Sequence, residues 1–212
     1  MKIGVIGSGD VGQRLASGFA AKGHEVKIGS RTPNSDKLKA WEKSAGNKAS
    51  TGTFAETAQY GEVLVTATLG SAVEEAVKLA GRKNFNNKIV IDCTNPLDFS
   101  KGMPPVNFLP LTDSLGARIQ TMLPTAKVVK CFNTVGNSQM INPKFKGAEM
   151  MICGNDAKAK QEVTKILKDF GWTGSIDIGG IENASWLEAM VPLWVRVGAA
   201  LNTWDHMFQV AR

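Results

Sequence analysis

The chain has 212 residues, of which 43% are hydrophobic, and its formal net charge is +6. This length allows one compact core, or one domain with a small extension. The basic residues are dispersed rather than clustered, which indicates no nucleic-acid partner. The most apolar late stretch, residues 189–201, is too short to cross a bilayer, so we expect no membrane partner. Met1 leads directly into an apolar run without a signal peptide, so we expect a cytoplasmic location.

Three cysteines, Cys93, Cys131 and Cys153, each lie near the end of a β-like run. Their number is odd and their spacing matches no common metal site. We therefore expect buried, reduced thiols and no bound metal.

Residues 1–31 predict a βαβ unit that binds a dinucleotide. The apolar run Lys2–Ile6 opens into a G-x-G-x-x-G loop, and a helical stretch follows, which is the context in which this motif binds a pyrophosphate. One glycine allows the tight turn, the next lets the pyrophosphate approach the backbone, and the third lets helix and strand pack closely. The loop residues that we predict to bind the cofactor are Gly7, Ser8, Gly9, Asp10, Val11 and Gly12.

The end of the second predicted strand, residues 24–29, indicates which dinucleotide binds. An NAD site would place Asp or Glu there to bind the ribose 2′-hydroxyl, but no carboxylate occurs before Asp36. Ser30 and Thr32 can donate hydrogen bonds instead, and Arg31 offers a planar guanidinium to a 2′-phosphate. The sequence therefore predicts NADP(H).

The rest of the chain alternates strands and helices. We predict further strands at 49–51, 62–67, 88–93 and 126–132, and helices at 33–46, 71–79 and 114–122. Connections of this length favour an α/β fold with a doubly wound parallel sheet, the Rossmann fold. We assign residues 1–135 to this NADP-binding domain, in which the proline-rich loop 95–110 is long enough to be functional.

Residues 136–212 are predicted to form a small C-terminal α/β extension. Strands at 148–153 and 173–178 flank a helix at 156–170, and a long helical segment follows at 181–209, interrupted at Pro192. An aromatic stripe on that segment could pack in the core or equally form a subunit interface or substrate wall. Its members are Trp186, Trp194, Trp204 and Phe208. We expect the extension to hold the acceptor cleft and a dimer contact.

Polar residues follow several of the predicted strands, where the ligand of an open α/β sheet lies. Thr68 follows the strand at 62–67, Asn95 and Pro96 follow the strand at 88–93, and Asn133 follows the strand at 126–132. The two asparagine amides could bind the carboxamide of the nicotinamide, although asparagine is also common in turns.

The chain offers few proton donors for carbonyl reduction, which usually uses His, Lys or Tyr. His24 lies before a strand, Tyr60 lacks a lysine four residues on, and His206 is more typical of a packed helix histidine. A flavin-type acceptor takes hydride into a delocalised ring system and requires positioning instead of an acid. We therefore assign no catalytic residue. An imine or carbonyl reductase that uses His206, and a sensor that binds NADP(H) without turnover, remain alternatives.

The segments GSGDVG, GSR, VIDCTNP, KCFNTVG and MICGND closely resemble the NADPH-dependent reductases of the deazaflavin coenzyme F420. They also resemble the cytosolic NADPH-binding domain of six-transmembrane metalloreductases. The resemblance extends over essentially the whole chain. It implies an oxidoreductase that passes hydride between NADPH and F420, with FAD, FMN or ferric reduction as alternatives, in a homodimer joined through the C-terminal part.

The same resemblance implies roles for individual residues. Those matching Ser8 to Val11 hold the pyrophosphate, and those matching Ser30 and Arg31 hold the 2′-phosphate, assisted by Lys37. Further contacts to the cofactor are implied for Leu69 and Val73, and for the segment around Asn133 near the nicotinamide.

Overall fold

The computed structural model describes residues 1–211 and contains an eight-stranded sheet and a separate two-stranded hairpin. The strands, in chain order, are β1 (Lys2–Ile6), β2 (Glu25–Gly29), β3 (Ala49–Gly52), β4 (Val63–Thr66), β5 (Ile89–Asp92), β6 (Leu97–Asp98), β7 (Val106–Asn107), β8 (Lys127–Lys130), β9 (Glu149–Gly154) and β10 (Gly174–Asp177). The large sheet has the order β10-β9-β8-β5-β4-β1-β2-β3, and β6 pairs with β7.

Seven α-helices cover the two faces of the large sheet. They are α1 (Asp10–Ala21), α2 (Asp36–Ala45), α3 (Phe54–Tyr60), α4 (Val73–Ala80), α5 (Leu115–Met122), α6 (Ala157–Asp169) and α7 (Ala184–Leu201). The first face packs against α1, α2 and α6, and the second face packs against α3, α4, α5 and α7. Successive strand residues alternate between the faces, as Val128 and Val129 of β8 illustrate.

The strands from β3 to β8 in the large sheet are all parallel, which confirms the doubly wound Rossmann architecture. The strands β9 and β10 are parallel to each other, but β9 pairs with β8 in the antiparallel direction. The large sheet therefore continues past residue 135 with two reversed strands. The division into domains 1–135 and 136–212 stays a prediction.

Helix α3 lies in a stretch for which we predicted no helix. Thr53 caps it, since its Oγ1 accepts the Glu56 amide while the Glu56 carboxylate accepts the Thr53 amide at 2.7 Å. This capping box is visible in the sequence as T-x-x-E over residues 53–56, so the signal was present.

The prediction of a helical segment at 181–209 was wrong in two respects: the position of its end and the interruption at Pro192. Helix α7 ends at Leu201, Asn202 adopts the left-handed conformation, and the tail folds back so that Met207 pairs with Val135. Pro192 lies inside the continuous helix. Because proline has no backbone N–H, Pro192 cannot donate to the Glu188 carbonyl four residues earlier. The Asn107 side-chain amide donates to that carbonyl instead, at 3.2 Å.

The aromatic stripe does not pack in the core as one unit. Trp186 is 58% exposed and Trp204 is 50% exposed, whereas Trp194 is partly buried and stacks on His206. The three cysteines are free and buried, as predicted. Within residues 1–211, no helix has both the length and the apolar character needed to cross a membrane.

Candidate functional site

A cavity of about 840 Å³ lies at the carboxyl edge of the sheet, beside β1 and β4. In the sheet, β1 lies between β2 and β4. The chain runs outwards from β1 to β2 and β3, and then crosses back to β4 on the other side of β1. This is the topological switch point, where α/β folds bind ligands. Ten of the predicted cofactor residues line the cavity: Gly7, Ser8, Gly9, Asp10, Val11, Ser30, Arg31, Thr32, Thr68 and Leu69.

Each of the three glycines of the phosphate loop has a different structural role. Gly7 has φ +128°, and a side chain there would collide with the Ala67 carbonyl, while a side chain at Gly12 would collide with the Gly7 carbonyl. Gly12 therefore serves the packing of the loop and does not line the cavity. Gly9 has an ordinary φ of −71°, and an added Cβ would meet no atom of residues 1–211 within 4 Å. The space in front of Gly9 is free for a ligand.

The start of α1 supplies donors for that ligand. Gly9 is its N-cap, and no side chain of residues 1–211 caps this helix end. The exposed amides of the first turn and the helix dipole attract a pyrophosphate. The Asp10 carboxylate at this end is paired with the Lys37 ammonium at 3.2 Å, with both side chains well exposed. Lys37 thus lies beside the phosphate loop, and its role in binding stays a prediction.

The turn after β2 presents the predicted 2′-phosphate site. The Ser30 hydroxyl accepts hydrogen bonds from the Ser8 hydroxyl at 3.2 Å and from the Thr32 amide at 3.1 Å, so it connects this turn to the phosphate loop. Arg31 is exposed and makes no hydrogen bond or ion pair with the rest of residues 1–211. Its guanidinium is therefore available to a phosphate.

The other end of the cavity faces the loops after β4 and β5. Asn95 and Asn133 bond each other: the Asn133 amide donates to Asn95 Oδ1 at 3.0 Å, and the Asn95 amide donates to the Asn133 carbonyl at 3.1 Å. The Asn133 Oδ1 atom is buried and has no hydrogen-bond partner within residues 1–211. A carboxamide N–H would satisfy this acceptor, which fits a nicotinamide.

Besides Gly12 and Lys37, four predicted residues lie outside the cavity lining: Asn95, Asn133, Val73 and Pro96. Val73 is fully buried in the core of the second face, at the start of α4. Pro96 lines a separate cavity of about 330 Å³ beside α7, which Asn107, Ser185 and Glu188 also line. Their contacts to the cofactor stay predictions.

Several residues that line the large cavity were missed by the sequence analysis. Cys93 directly follows β5, so its place at a strand end was a usable signal. Asn137 lies in a short 3-10 turn well beyond the end of β8 and offered no such signal. The others, Phe54, Ala67, Ala72, Glu75, Ala76 and Leu79, come from α3, from the end of β4, and from α4 and the turn before it.

No His, Lys or Tyr of residues 1–211 lines the large cavity. His206 lies instead against α7, where its ring stacks on Trp194 at 4.4 Å and its Nε2 lies 3.0 Å from the Trp194 carbonyl. Tyr60 donates to Glu25 at the start of β2, the opposite edge of the sheet. The cavity therefore offers amides, hydroxyls, one guanidinium, the Asp10 and Glu75 carboxylates and the Cys93 thiol, but no His, Lys or Tyr, the residues that usually donate the proton in carbonyl reduction.

Comparison with known proteins identifies the family. The profile of the family described as "NADP oxidoreductase coenzyme F420-dependent" matches residues 2–96. The F420-dependent NADP reductase of Methanothermobacter marburgensis is 30% identical, and the alignment covers 93% of this chain and 92% of that protein. The chain belongs to the coenzyme F420-dependent NADP oxidoreductase family. The NADP(H) prediction is thereby confirmed, and the chain is an NADP-dependent oxidoreductase.

Two further relatives of this oxidoreductase are informative. A solved structure from Arthrobacter sp. FB24, provisionally described as an F420-dependent NADP reductase, superposes with a TM-score of 0.95 and 40% identity over 100% of both chains. Metalloreductase STEAP3 of Rattus norvegicus is 27% identical over 91% of this chain, which spans 38% of that protein. The resemblance to both groups is confirmed.

Replacing Gly9 by Ala tests the phosphate loop. The new Cβ strains no backbone and meets no protein atom, so the melting temperature should stay unchanged. The Cβ occupies the ligand space, so the dissociation constant for NADPH, measured by fluorescence titration, should rise about tenfold or more. Gly174→Ala, at a distant strand with only ordinary contacts, is the control. Unchanged NADPH affinity in Gly9→Ala would contradict the assignment of this loop as the pyrophosphate site.

Replacing Arg31 by Ala tests the 2′-phosphate site. Loss of the guanidinium should weaken NADPH binding by about 2–4 kcal/mol and leave NADH binding nearly unchanged. Calorimetric titration of both cofactors measures the difference. Arg82→Ala removes another exposed arginine, which does not line the cavity, and should change neither affinity. An equal loss for both cofactors would mean that Arg31 is structural.

Proposed function

We propose that this oxidoreductase transfers hydride between NADPH and the deazaflavin coenzyme F420. The names of the archaeal relatives and the likeness to the Arthrobacter protein over the whole chain support this acceptor. Bound NADPH supplies the hydride from C4 of its nicotinamide ring. The protein contributes binding, orientation and exclusion of water.

The observation that carries the proposal is the set of side chains at the cavity. Within residues 1–211 no histidine, lysine or tyrosine lines it. Its titratable side chains are Arg31, Cys93 and two carboxylates, Glu75 and the Asp10 that pairs with Lys37. Carbonyl reduction without a positioned acid forfeits the rate that proton transfer contributes. A flavin-type ring distributes the incoming charge over its own nitrogens, so orientation alone can support its reduction.

Different residues along the cavity orient different parts of NADPH. The first turn of α1 holds the pyrophosphate, and Ser30 with Arg31 holds the 2′-phosphate. The buried Asn133 Oδ1, which has no partner within residues 1–211, would accept a carboxamide N–H and so orient the nicotinamide ring. Leu69, whose side chain is exposed at the lining, loses water when the acceptor ring covers it.

The choice of acceptor is tested by NADPH oxidation at 340 nm with F420, FAD, FMN or no acceptor, and with NADH as the cofactor control. We expect rapid turnover with NADPH and F420, and little with the other combinations. Turnover with FAD or FMN alone would instead favour the metalloreductase-like alternative, and binding without any turnover would favour a sensor. His206→Ala should retain full activity, because His206 lies outside the cavity. An inactive variant would instead favour an imine or carbonyl reductase that uses His206 as the acid.

The homodimer joined through the C-terminal part is also a proposal. Helix α7 exposes Trp186 and Leu193, which lie two helical turns apart on one side, and Leu201 near its end. Exposed apolar side chains of this size are typical of protein interfaces. Light scattering should give a mass of two chains for the wild type and one chain for Trp186→Glu/Leu193→Glu. A monomeric wild type would contradict the proposal.

A further inference from the structure

Three charged side chains meet inside the protein at the carboxyl edge of the sheet. The Lys130 ammonium lies 2.8 Å from Asp92 Oδ2 and 2.6 Å from Glu188 Oε1, and none of the three side chains is more than 1% exposed. Asp92 and Lys130 are the last residues of β5 and β8 and face each other in register. Glu188 comes from α7. We call these three residues the buried ion cluster.

The buried ion cluster takes the place of an apolar layer. Asp92 and Lys130 follow Val90 and Val128 on the second face of the sheet, where every other strand residue points into the core. Taking three charges out of water is costly, and apolar side chains of similar volume often stabilise a core equally well. A contribution to stability therefore does not explain the buried ion cluster. A requirement for defined geometry around it does.

The geometry that the cluster fixes is that of Thr94. Asp92 Oδ1 accepts the Thr94 amide at 3.1 Å and the Thr94 hydroxyl at 2.8 Å, while Lys130 donates to the Thr94 carbonyl. Both backbone polar groups of this residue are thus bound by the cluster. Its neighbours are Cys93, which lines the cofactor cavity, and Asn95, which bonds Asn133.

Glu188 connects the same cluster to the C-terminal helices. Its two carboxylate oxygens accept the amides of Leu115 at 3.0 Å and Gly116 at 3.1 Å, at the start of α5. It also lines the smaller cavity beside Pro96. Glu188 therefore connects the start of α5 and helix α7 to the cluster that holds Thr94.

Glu188 is held through both of its carboxylate oxygens. Burial and the nearby Asp92 carboxylate raise the pKa of its carboxyl group, and the Lys130 ammonium offsets this only in part. The oxygens accept hydrogen bonds from two amides and from the ammonium, and these bonds favour the ionised form. The arrangement suits a positioning residue and not an acid that gives its proton to substrate.

We propose that Asp92, Lys130 and Glu188 are positioning residues: through Thr94 they hold Cys93 in the cavity lining and Asn95 in its pairing with Asn133, at the end of the cavity where the nicotinamide of NADPH would bind. Since α1 would hold the pyrophosphate and Arg31 the 2′-phosphate, the nicotinamide would bind on the opposite side, towards the ends of β4 and β5. The proposal rests on the proposed hydride transfer only for its effect on turnover; its effect on binding needs no acceptor.

The test uses the neutral triple variant Asp92→Asn/Lys130→Met/Glu188→Gln. Removing all three charges together leaves no unpaired ion, so the variant should fold, and the loss of one amide acceptor at residue 188 should lower its melting temperature by roughly 2–8 °C. Adenosine 2′,5′-bisphosphate reports on the adenosine end of the site, and NADPH reports on both ends. The proposal predicts unchanged affinity for the bisphosphate and about tenfold weaker NADPH binding, because the carboxamide contact is lost.

Turnover with F420 distinguishes positioning from a purely structural role. The value of kcat should fall by about 100-fold, the loss expected from a wall displaced by about 1 Å, while KM for F420 changes less. If F420 proves not to be the acceptor, the two binding measurements still decide the proposal. A folded triple variant that binds NADPH as tightly as the wild type would overturn it.

Thr94→Val serves as the second variant if the triple variant does not fold. It is close to isosteric and removes the hydroxyl contact to Asp92 while leaving all three charges paired. We expect the same pattern at smaller size, with NADPH affinity about threefold lower and bisphosphate affinity unchanged. Equal affinities of Thr94→Val and wild type for NADPH would then overturn the proposal.

Discussion

The parallel register of β1, β4, β5 and β8 is the constraint on which the rest of this structure depends. Because these neighbours run in one direction, their carboxyl ends form one edge, and the loops that follow them meet around a single cavity. Segments that are far apart in the chain thereby become two walls of one site. The first turn of α1 supplies the phosphate end, and the loops after β4 and β5 supply the other.

This edge also explains why charged residues are buried where apolar ones would pack. A wall made of loops lacks the ladder hydrogen bonds that fix a strand, so its backbone groups need other partners. Asp92 and Lys130 provide them for Thr94, and Glu188 extends the same network to α5 and α7. In a site without one of the usual acids, precise placement of the cofactor is the main contribution that the protein can make to the rate.

The sequence predicted what depends on local pattern and missed what depends on distant contacts. The phosphate loop and the Ser30–Arg31 turn are read from adjacent residues, and the structure brings them to one cavity. The buried ion cluster could not be read in this way, because Lys130 meets a glutamate 58 positions later in the chain. The end of α7 at Leu201 was missed for a similar reason, since the return of the tail is fixed by pairing with Val135.

In the proposed reaction, hydride passes directly from NADPH to F420 within this site. Deuterium placed at each of the two C4 positions of NADPH can be followed during a single turnover with F420. We expect the label from one C4 position in the reduced deazaflavin and none in water. Reduction of F420 with the label released to water would contradict it.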